Sequence, residues 1–270
     1  MGSATPCVTI GMPVYNGAES IEEAINCILD GTYQNVKILV SDNCSTDNTQ
    51  AIVSNIVERD ARVHLIKNPQ NIGPVPNFCA VAAASDTDLF MWRAHDDITA
   101  SDYIEKLVAC LDANPEAVLA AAKIITSKPN KMRERPFPAT TGSTLRWPSM
   151  MKANAGWMYG LFRRPFIIES VSNVLENYPH IHAWDMMVLL DALMAGGICG
   201  TNETTFVHQQ HRPKSARDQA PQQRERARDF KSGVLALPFY ERLNTAARLG
   251  FNAMLPVYIE RRVARLHHRF

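Results

Sequence analysis

Between Val8 and Thr49 two short apolar runs flank an amphipathic helix, and each run ends in a cluster of polar residues. Val8 and Ile10 begin a buried strand that leads into Met12-Pro13-Val14-Tyr15-Asn16-Gly17. Ile21, Ala24, Ile25, Ile28 and Leu29 recur at helical spacing, with Ser20 and Glu23 set as a capping box and Gly31 as the stop. A second apolar run over residues 36–40 delivers Asp42 to its carboxyl end. In an open α/β sheet, ligands occupy the crevice beyond the carboxyl ends of the strands. Both polar clusters, residues 13–17 and 41–47, fall there.

The pattern repeats. A second helix is expected from about Thr46, with Asp47 in its first turn and Ile52, Val53, Ile56 and Val57 inside. Residues 63–66 form a third strand, residues 68–74 a turn rich in Asn, Pro and Gly, residues 77–84 a short helix, and residues 89–92 a fourth strand. Four strands alternating with helices favour a mostly parallel sheet. Beyond Asp97 the order changes: a helix over 103–114, a strand or buried helix over 117–125, and a polar, Pro- and Gly-broken mobile loop over 127–148. A helix over 183–195 then precedes a strand through 204–207. Residues 212–229 are charged and almost free of apolar side chains, which reads as a linker or lid. Leu255, Ile259, Val263, Leu266 and Phe270 make one stripe flanked by Arg261, Arg262, Arg265 and Arg269, a basic amphipathic helix.

With 270 residues the chain can form one large α/β domain or two small ones. No stretch approaches the ~18 apolar residues of a membrane span, and no basic-then-apolar leader is visible at the N-terminus. Met1-Gly2 is not followed by a myristoylation motif, because Pro6 stands where Ser or Thr is required. The six cysteines lack paired spacing, which suits a reducing compartment and a cytoplasmic location. The net charge of +1 conceals an asymmetry: from Phe206 onward there are 13 Lys/Arg against 5 Asp/Glu, leaving 15 against 22 before it. A basic tail on an acidic body suits an anionic partner, whether membrane surface, phosphate or nucleic acid, or else a solvated helical tail.

The polar residues at the expected strand ends have a distinct chemistry. Asp96 and Asp97 are adjacent carboxylates directly after the fourth strand, and such a pair calls for a cation or hydrogen-bond donors nearby. Hard divalent ions choose oxygen ligands of this kind. Asp42 follows the second strand in Ser41-Asp42-Asn43-Cys44-Ser45-Thr46-Asp47, where Asx-turn and capping roles suit its neighbours better than Asp42 itself.

These motifs resemble those of family 2 glycosyltransferases, over roughly residues 7–215. The resemblance implies a GT-A fold: Rossmann-like, with a mostly parallel central sheet flanked by helices, here with a C-terminal helical tail. Residues 1–98 would form the nucleotide-sugar half, 99–211 the acceptor half of the same domain, and 212–270 a lid or linker with basic helices. It also implies an inverting transfer from a nucleotide-sugar, UDP-linked, to a saccharide or lipid-linked acceptor in surface polysaccharide, lipopolysaccharide or glycolipid synthesis. Neither a nucleic acid partner nor a particular sugar is implied.

By position, the resemblance assigns Pro13, Tyr15 and Asn16 to the first nucleotide loop, with Tyr15 against the base, and Asp42 to the nucleobase or ribose. Asn71 and Asn77 match an Asn-x-Gly-x-x-x-Asn pattern. Asp96 aligns with the metal-binding Asp of an Asp-x-Asp-Asp signature, for Mn²⁺ or Mg²⁺, with Asp97 beside it. Ala94 departs from that signature, so either Arg93 or His95 takes over its first carboxylate's contacts or nucleotide binding is weaker. Residues 156–164 look like the acceptor-side segment. Asp185, opening a helix after it, is the implied catalytic base, and Asp191 would point away from it. His208-Gln209-Gln210-His211-Arg212-Pro213 resembles the closing motif, with His211 favoured over His208 for the metal or diphosphate and Arg212 starting the lid.

Three rival readings follow from the same residues. A zinc site could be drawn from His180, His182, His208 and His211, although the usual Cys or Glu spacing is missing. A sugar nucleotidyltransferase would want a Gly-rich basic loop after the first strand, which residues 13–17 are not. A weak or inactive transferase domain that binds donor or scaffolds a partner would account for Ala94. The C-terminal stripe would lie on the inner membrane face, where lipid-linked acceptors reside, or pack on the catalytic domain or on a second subunit.

Overall fold

The first strand, β1 (Val8–Val14), is buried at every residue, as expected of a strand covered on both faces. It pairs in parallel with β2 (Val36–Asp42) and with β4 (Leu89–Trp92), while β3 (Val63–Lys67) lies parallel on the far side of β2. The computed structural model describes residues 5–128, 131–138, 144–178, 180, 182–209 and 220–263. Three helices make the crossovers: α1 (Ile21–Leu29), α2 (Thr49–Arg59) and α3 (Pro74–Ala83). Pro13 is tolerated in this central strand because β4 stops pairing at Gly11, so no ladder donor is needed on that side at position 13.

Beyond β4 the chain returns to the same sheet. The order is β3-β2-β1-β4-β8-β6-β9-β5, where β5 is Ile98–Thr99, β6 Leu119–Lys128, β8 Leu161–Arg163 and β9 Ile198–Gln209. β8 is antiparallel to both its neighbours, β6 and β9 are parallel, and β5 is antiparallel to β9. β7 (Lys131–Arg135) pairs outside β6. Most strands therefore point the same way, with antiparallel members inserted in the second half. Helices α4 (Tyr103–Ala113), α5 (Arg164–Asn177) and α6 (Trp184–Ala195) cover that half, and α7 (Ala220–Ala236), α8 (Pro238–Arg242) and α9 (Thr245–Tyr258) follow.

Several sequence expectations shift. α2 starts at Thr49 rather than Thr46, because Asp47 Oδ1 accepts the Thr49 amide (3.0 Å) and so ends the preceding loop. α3 starts at Pro74, whose fixed φ suits the first helical position. The expected loop over 127–148 holds the strand β7 and the start of a 3₁₀ turn, Trp147–Lys152. Of the expected linker over 212–229, residues 220–229 open the helix α7, which goes on to bury Phe230 and Val234, and residues 212–219 lie outside the described residues. The Ser20/Glu23 capping box does not form: the Ser20 side chain makes no capping bond and meets His95 Nδ1 at 3.0 Å instead.

The C-terminal stripe also resolves. Leu255, Ile259 and Val263 are buried against the domain, the last two in a π-helical turn, Ile259–Val263. That part of the stripe is thus unavailable to a membrane, and Leu266, Phe270, Arg265 and Arg269 lie outside the described residues. Rings fix these helices in place: Phe230 meets Tyr178 at 5.8 Å, and Phe251 meets Trp147 at 6.0 Å and Phe239 at 5.9 Å. Among the described residues no helix is long and apolar enough to cross a membrane.

Candidate active site

The carboxyl ends of β1, β2 and β4 lie side by side, with Val14 opposite Asp42 in register. The two loops that leave β1 and β2 are stapled together. Asn16 N donates to Ser45 Oγ (2.9 Å), Thr46 N to Asn16 Oδ1 (2.8 Å), Gly17 N to Thr49 Oγ1 (2.9 Å) and Ala18 N to Asp47 Oδ2 (3.1 Å). Burial alone would raise the Asp47 carboxyl, but these bonds from Thr49 and Ala18 hold it below its ordinary range. Asn16 adopts φ 52°, a left-handed conformation that Asn tolerates better than most residues. Gly17 is required by space: a Cβ there would sit 2.6 Å from Val14 Cγ2 and 2.9 Å from His95 Nδ1. Within this rigid double loop Tyr15 stays 44% exposed, the one large ring of the loop left facing solvent.

Asp42 is fully buried at the end of β2. Its Oδ2 accepts from Ser45 N (3.1 Å) and Gln50 Nε2 (2.6 Å), but its Oδ1 has no donor. A buried, unsatisfied acceptor is uncommon and calls for an explanation. Asn77 is used internally: Oδ1 accepts from Ser41 Oγ (2.6 Å) and Asn68 Nδ2 (2.9 Å), and Nδ2 donates to Ser41 O (3.0 Å). Asn71 Oδ1 likewise accepts from Asn43 Nδ2 and Gly73 N, both at 2.9 Å. These two asparagines brace the floor beneath β2.

The turn after β4 splits its two carboxylates between different tasks. Asp97 is fully buried, and Oδ1 accepts from Gln209 N (2.9 Å) and lies 3.1 Å from His208 Nδ1. Asp96, half-buried, makes no hydrogen bond among the described residues. Arg93 is 3% exposed, donates from Nη2 to Thr99 Oγ1 (2.6 Å) and lies 5.8 Å from the Phe206 ring centre. Its Nε and Nη1 have no partner, and burial pushes its pKa down. Of Arg93 and His95, then, only His95 is solvent-accessible beside Ala94.

The start of α6 is joined to this turn by tryptophans. Trp92, the last residue of β4, meets Trp184, the first residue of α6, edge-to-face at 5.9 Å. Phe90, Phe162 and Phe78 complete the cluster. Asp185 follows Trp184, is half-buried, and accepts Met186 N at 2.9 Å. The chain enters α6 through Ala183 at φ 60°, a left-handed geometry that is strained for alanine. His182 Nε2 donates to Val263 O (3.1 Å) and Tyr178 Oη donates to His182 O (2.6 Å), so the C-terminal turn holds this entry. Asp191 is on another face of α6, against α5 and α8.

His211 and Arg212 lie outside the described residues. The zinc reading finds no support among the described histidines: His182 binds Val263 O, His208 lies on Asp97 and His180 is 3.9 Å from Asp229. The His208–Asp97 contact was missed because its residues are 111 apart in sequence, although His208 does end the apolar run of β9.

Residues 9–171 match the family model described as Glycosyl transferase family 2. The chain belongs to that family. An uncharacterized glycosyltransferase of Haemophilus influenzae is 34% identical over 101 residues, covering 37% of this chain and 40% of the relative. The matched stretch thus spans well under half of that relative's length. Among solved structures, S. aureus TarS 1-349 in complex with UDP-GlcNAc superposes with a TM-score of 0.70 at 14% identity, covering 92% of this chain and 71% of that one. The mannosyltransferase PcManGT from Pyrobaculum calidifontis, in complex with GDP-Man and Mn²⁺, gives 0.59 at 18% identity, covering 96% and 71%. At these identities the likeness shows the fold alone, which is GT-A.

Proposed function

We propose that this family 2 glycosyltransferase moves a sugar from a UDP-linked donor to the hydroxyl of a saccharide or lipid-linked acceptor, with inversion at the anomeric carbon. The observation that carries the reading is the orphaned Oδ1 of Asp42, at the strand end beside the exposed ring of Tyr15. A nucleoside N–H or ribose O–H supplies the donor that the protein withholds, and Tyr15 lies against the base. The nucleotide-sugars in the TarS and PcManGT complexes support a donor of this class.

Asp96, with His211, would hold Mn²⁺ or Mg²⁺. The fit rests on a carboxylate with no hydrogen-bond partner among the described residues, since such ions commonly use one or two carboxylates together with phosphate oxygens. The Mn²⁺ in the PcManGT complex supports the same choice. When bound, the ion neutralises charge that builds on the departing diphosphate. Asp97, held by β9, fixes the turn that presents Asp96.

Asp185 takes the proton of the acceptor hydroxyl. The hydroxyl oxygen attacks the anomeric carbon as the bond to the diphosphate breaks on the opposite face, and UDP leaves. A donor-binding domain without turnover is the alternative that Ala94 favours, and it predicts donor binding with no nucleotide release.

Release of UDP from a panel of UDP-sugars, with Mn²⁺ and mixed acceptors, tests the reading. Asp96→Asn is expected to abolish release and weaken UDP binding in Mn²⁺ while leaving the melting temperature near wild type. Full activity in EDTA, or in Asp96→Asn, would remove the metal from the scheme.

A further inference from the structure

Where β9, β6 and β7 run side by side, their registers set distant residues in rows. Thr126 of β6 stands between His208 of β9 and Arg133 of β7, and Ile124 stands between Phe206 and Arg135. Side chains alternate along a strand, so Lys131, Arg133 and Arg135 share the face of Phe206 and His208. That face meets the site: His208 lies on Asp97, and the Phe206 ring lies 5.8 Å from the Arg93 guanidinium. Glu134 is on the opposite face, where it pairs with Lys123 at 3.3 Å. The cations of β7 are therefore on the side of the site, and its carboxylate is turned away. A 3₁₀ turn, Ala155–Tyr159, covers the inner part of the face by stacking Tyr159 on Phe206, with ring centres 5.0 Å apart. Beyond that turn the face is open. Lys131 and Arg133 are exposed, and neither forms an ion pair among the described residues. β9 ends at Gln209, level with Ser127 and Met132, so Lys131 reaches past the strand ends beside the Asp97 turn.

Charged side chains on an edge strand discourage pairing with another chain. That need is met equally on either face, and it leaves the sorting of cations toward the site unexplained. Alternate residues of a strand are about 6.8 Å apart, so the row suits a ligand that carries several anionic groups in series. A lone carboxylate would meet one cation and leave the next unused. The guanidinium fork grips phosphate oxygens through paired N–H bonds, and lysine adds a point charge. We propose that this ledge of Lys131 and Arg133 holds phosphate groups of the acceptor, so that the hydroxyl to be glycosylated belongs to a chain bearing phosphodiesters. Arg133 lies two strand spacings, roughly 10 Å, from His208, which places the anion beside the reacting hydroxyl and away from the donor's own diphosphate. The assignment rests on the transferase reading and adds the charge of the acceptor to it.

Titration calorimetry of the full chain, preloaded with UDP and Mn²⁺, tests it with a glycerol phosphate trimer and with uncharged triglycerol. Saturable binding of the trimer is expected, with triglycerol weaker by about tenfold or more, the size of a charge-assisted hydrogen bond. Arg133→Gln should weaken the trimer about fivefold, the upper end for an exposed charge pair, and Lys131→Gln added to it should bring the loss to about tenfold or more. Lys123→Gln removes the same charge from the opposite face, and its trimer affinity should stay within about twofold of wild type. UDP affinity should be unchanged in all these variants. A wild-type chain that fails to bind UDP overturns the donor site, whereas UDP binding without trimer binding overturns the ledge alone. Equal losses in Lys123→Gln and Arg133→Gln would reduce the effect to net charge and also overturn it. Sedimentation with phosphatidylglycerol vesicles that depends on Arg133, without binding of the trimer, would make the ledge a membrane contact instead.

Discussion

The roles proposed for Asp42 and Asp185 are separable by single substitutions. Asp42→Asn keeps an acceptor for Ser45 N or Gln50 but places an amide where the free Oδ1 stood. UDP affinity is expected to fall by about tenfold, the size of one hydrogen bond to a charged group, in a calorimetric titration with Mn²⁺. An unchanged affinity would mean that Oδ1 faces no ligand. Asp185→Asn acts later in the reaction. Turnover should drop by roughly 10²–10⁴, with UDP affinity near wild type, and single-turnover assays over donor concentration distinguish the two effects. If turnover survives, the base is another residue.

At the scale of elements, the contact that matters joins β4 to α6. Trp92 and Trp184 each stand next to a functional segment, so their edge-to-face packing sets the spacing between the Asp96 turn and Asp185. Trp184→Leu should cost about 2–3 kcal/mol of stability through the cavity it leaves. It should also lower turnover more than UDP affinity, measured by chemical denaturation beside steady-state kinetics. Equal losses in both kinetic terms would show that Trp184 supports the whole domain rather than the approach of α6. Much of this half was legible in the sequence: the helical spacing around Ile21 and Ile25, the apolar runs of β1, β2 and β4, and Asp42 at a strand end are local signals. What local signals could not reveal is pairing at a distance. Ser20 looked like a cap for its own helix, yet its hydroxyl went to His95, 75 residues on. The contact of His208 with Asp97, 111 residues away, is another such pairing. Charged residues in α7 masked a helix whose few apolar side chains, Phe230 and Val234, are all that its inner face needs.

For the whole molecule, the tail belongs to the core. Phe251, Leu255, Ile259 and Val263 are buried, and burial of four such side chains contributes on the order of 6–12 kcal/mol, comparable with the full stability of a domain at about 5–15 kcal/mol. A chain ending at Gly250 is therefore expected to be insoluble, or to melt more than about 10 °C lower, by differential scanning calorimetry. Melting within a few degrees of wild type would show that the domain stands without these helices. The strap from β9 to the Asp97 turn has a further consequence, in the order of synthesis. His208 leaves the ribosome 111 residues after Asp97, which at about 5–20 residues per second is a wait of roughly 6–20 s. Until then the Asp97 carboxylate lacks the donors that β9 supplies, and the short β5 directly after it lacks its sheet neighbour. The Asp97 turn is translated early but completed late. A nascent chain cannot complete this turn, and on the proposed reading cannot hold nucleotide-sugar beside it, before β9 has been made.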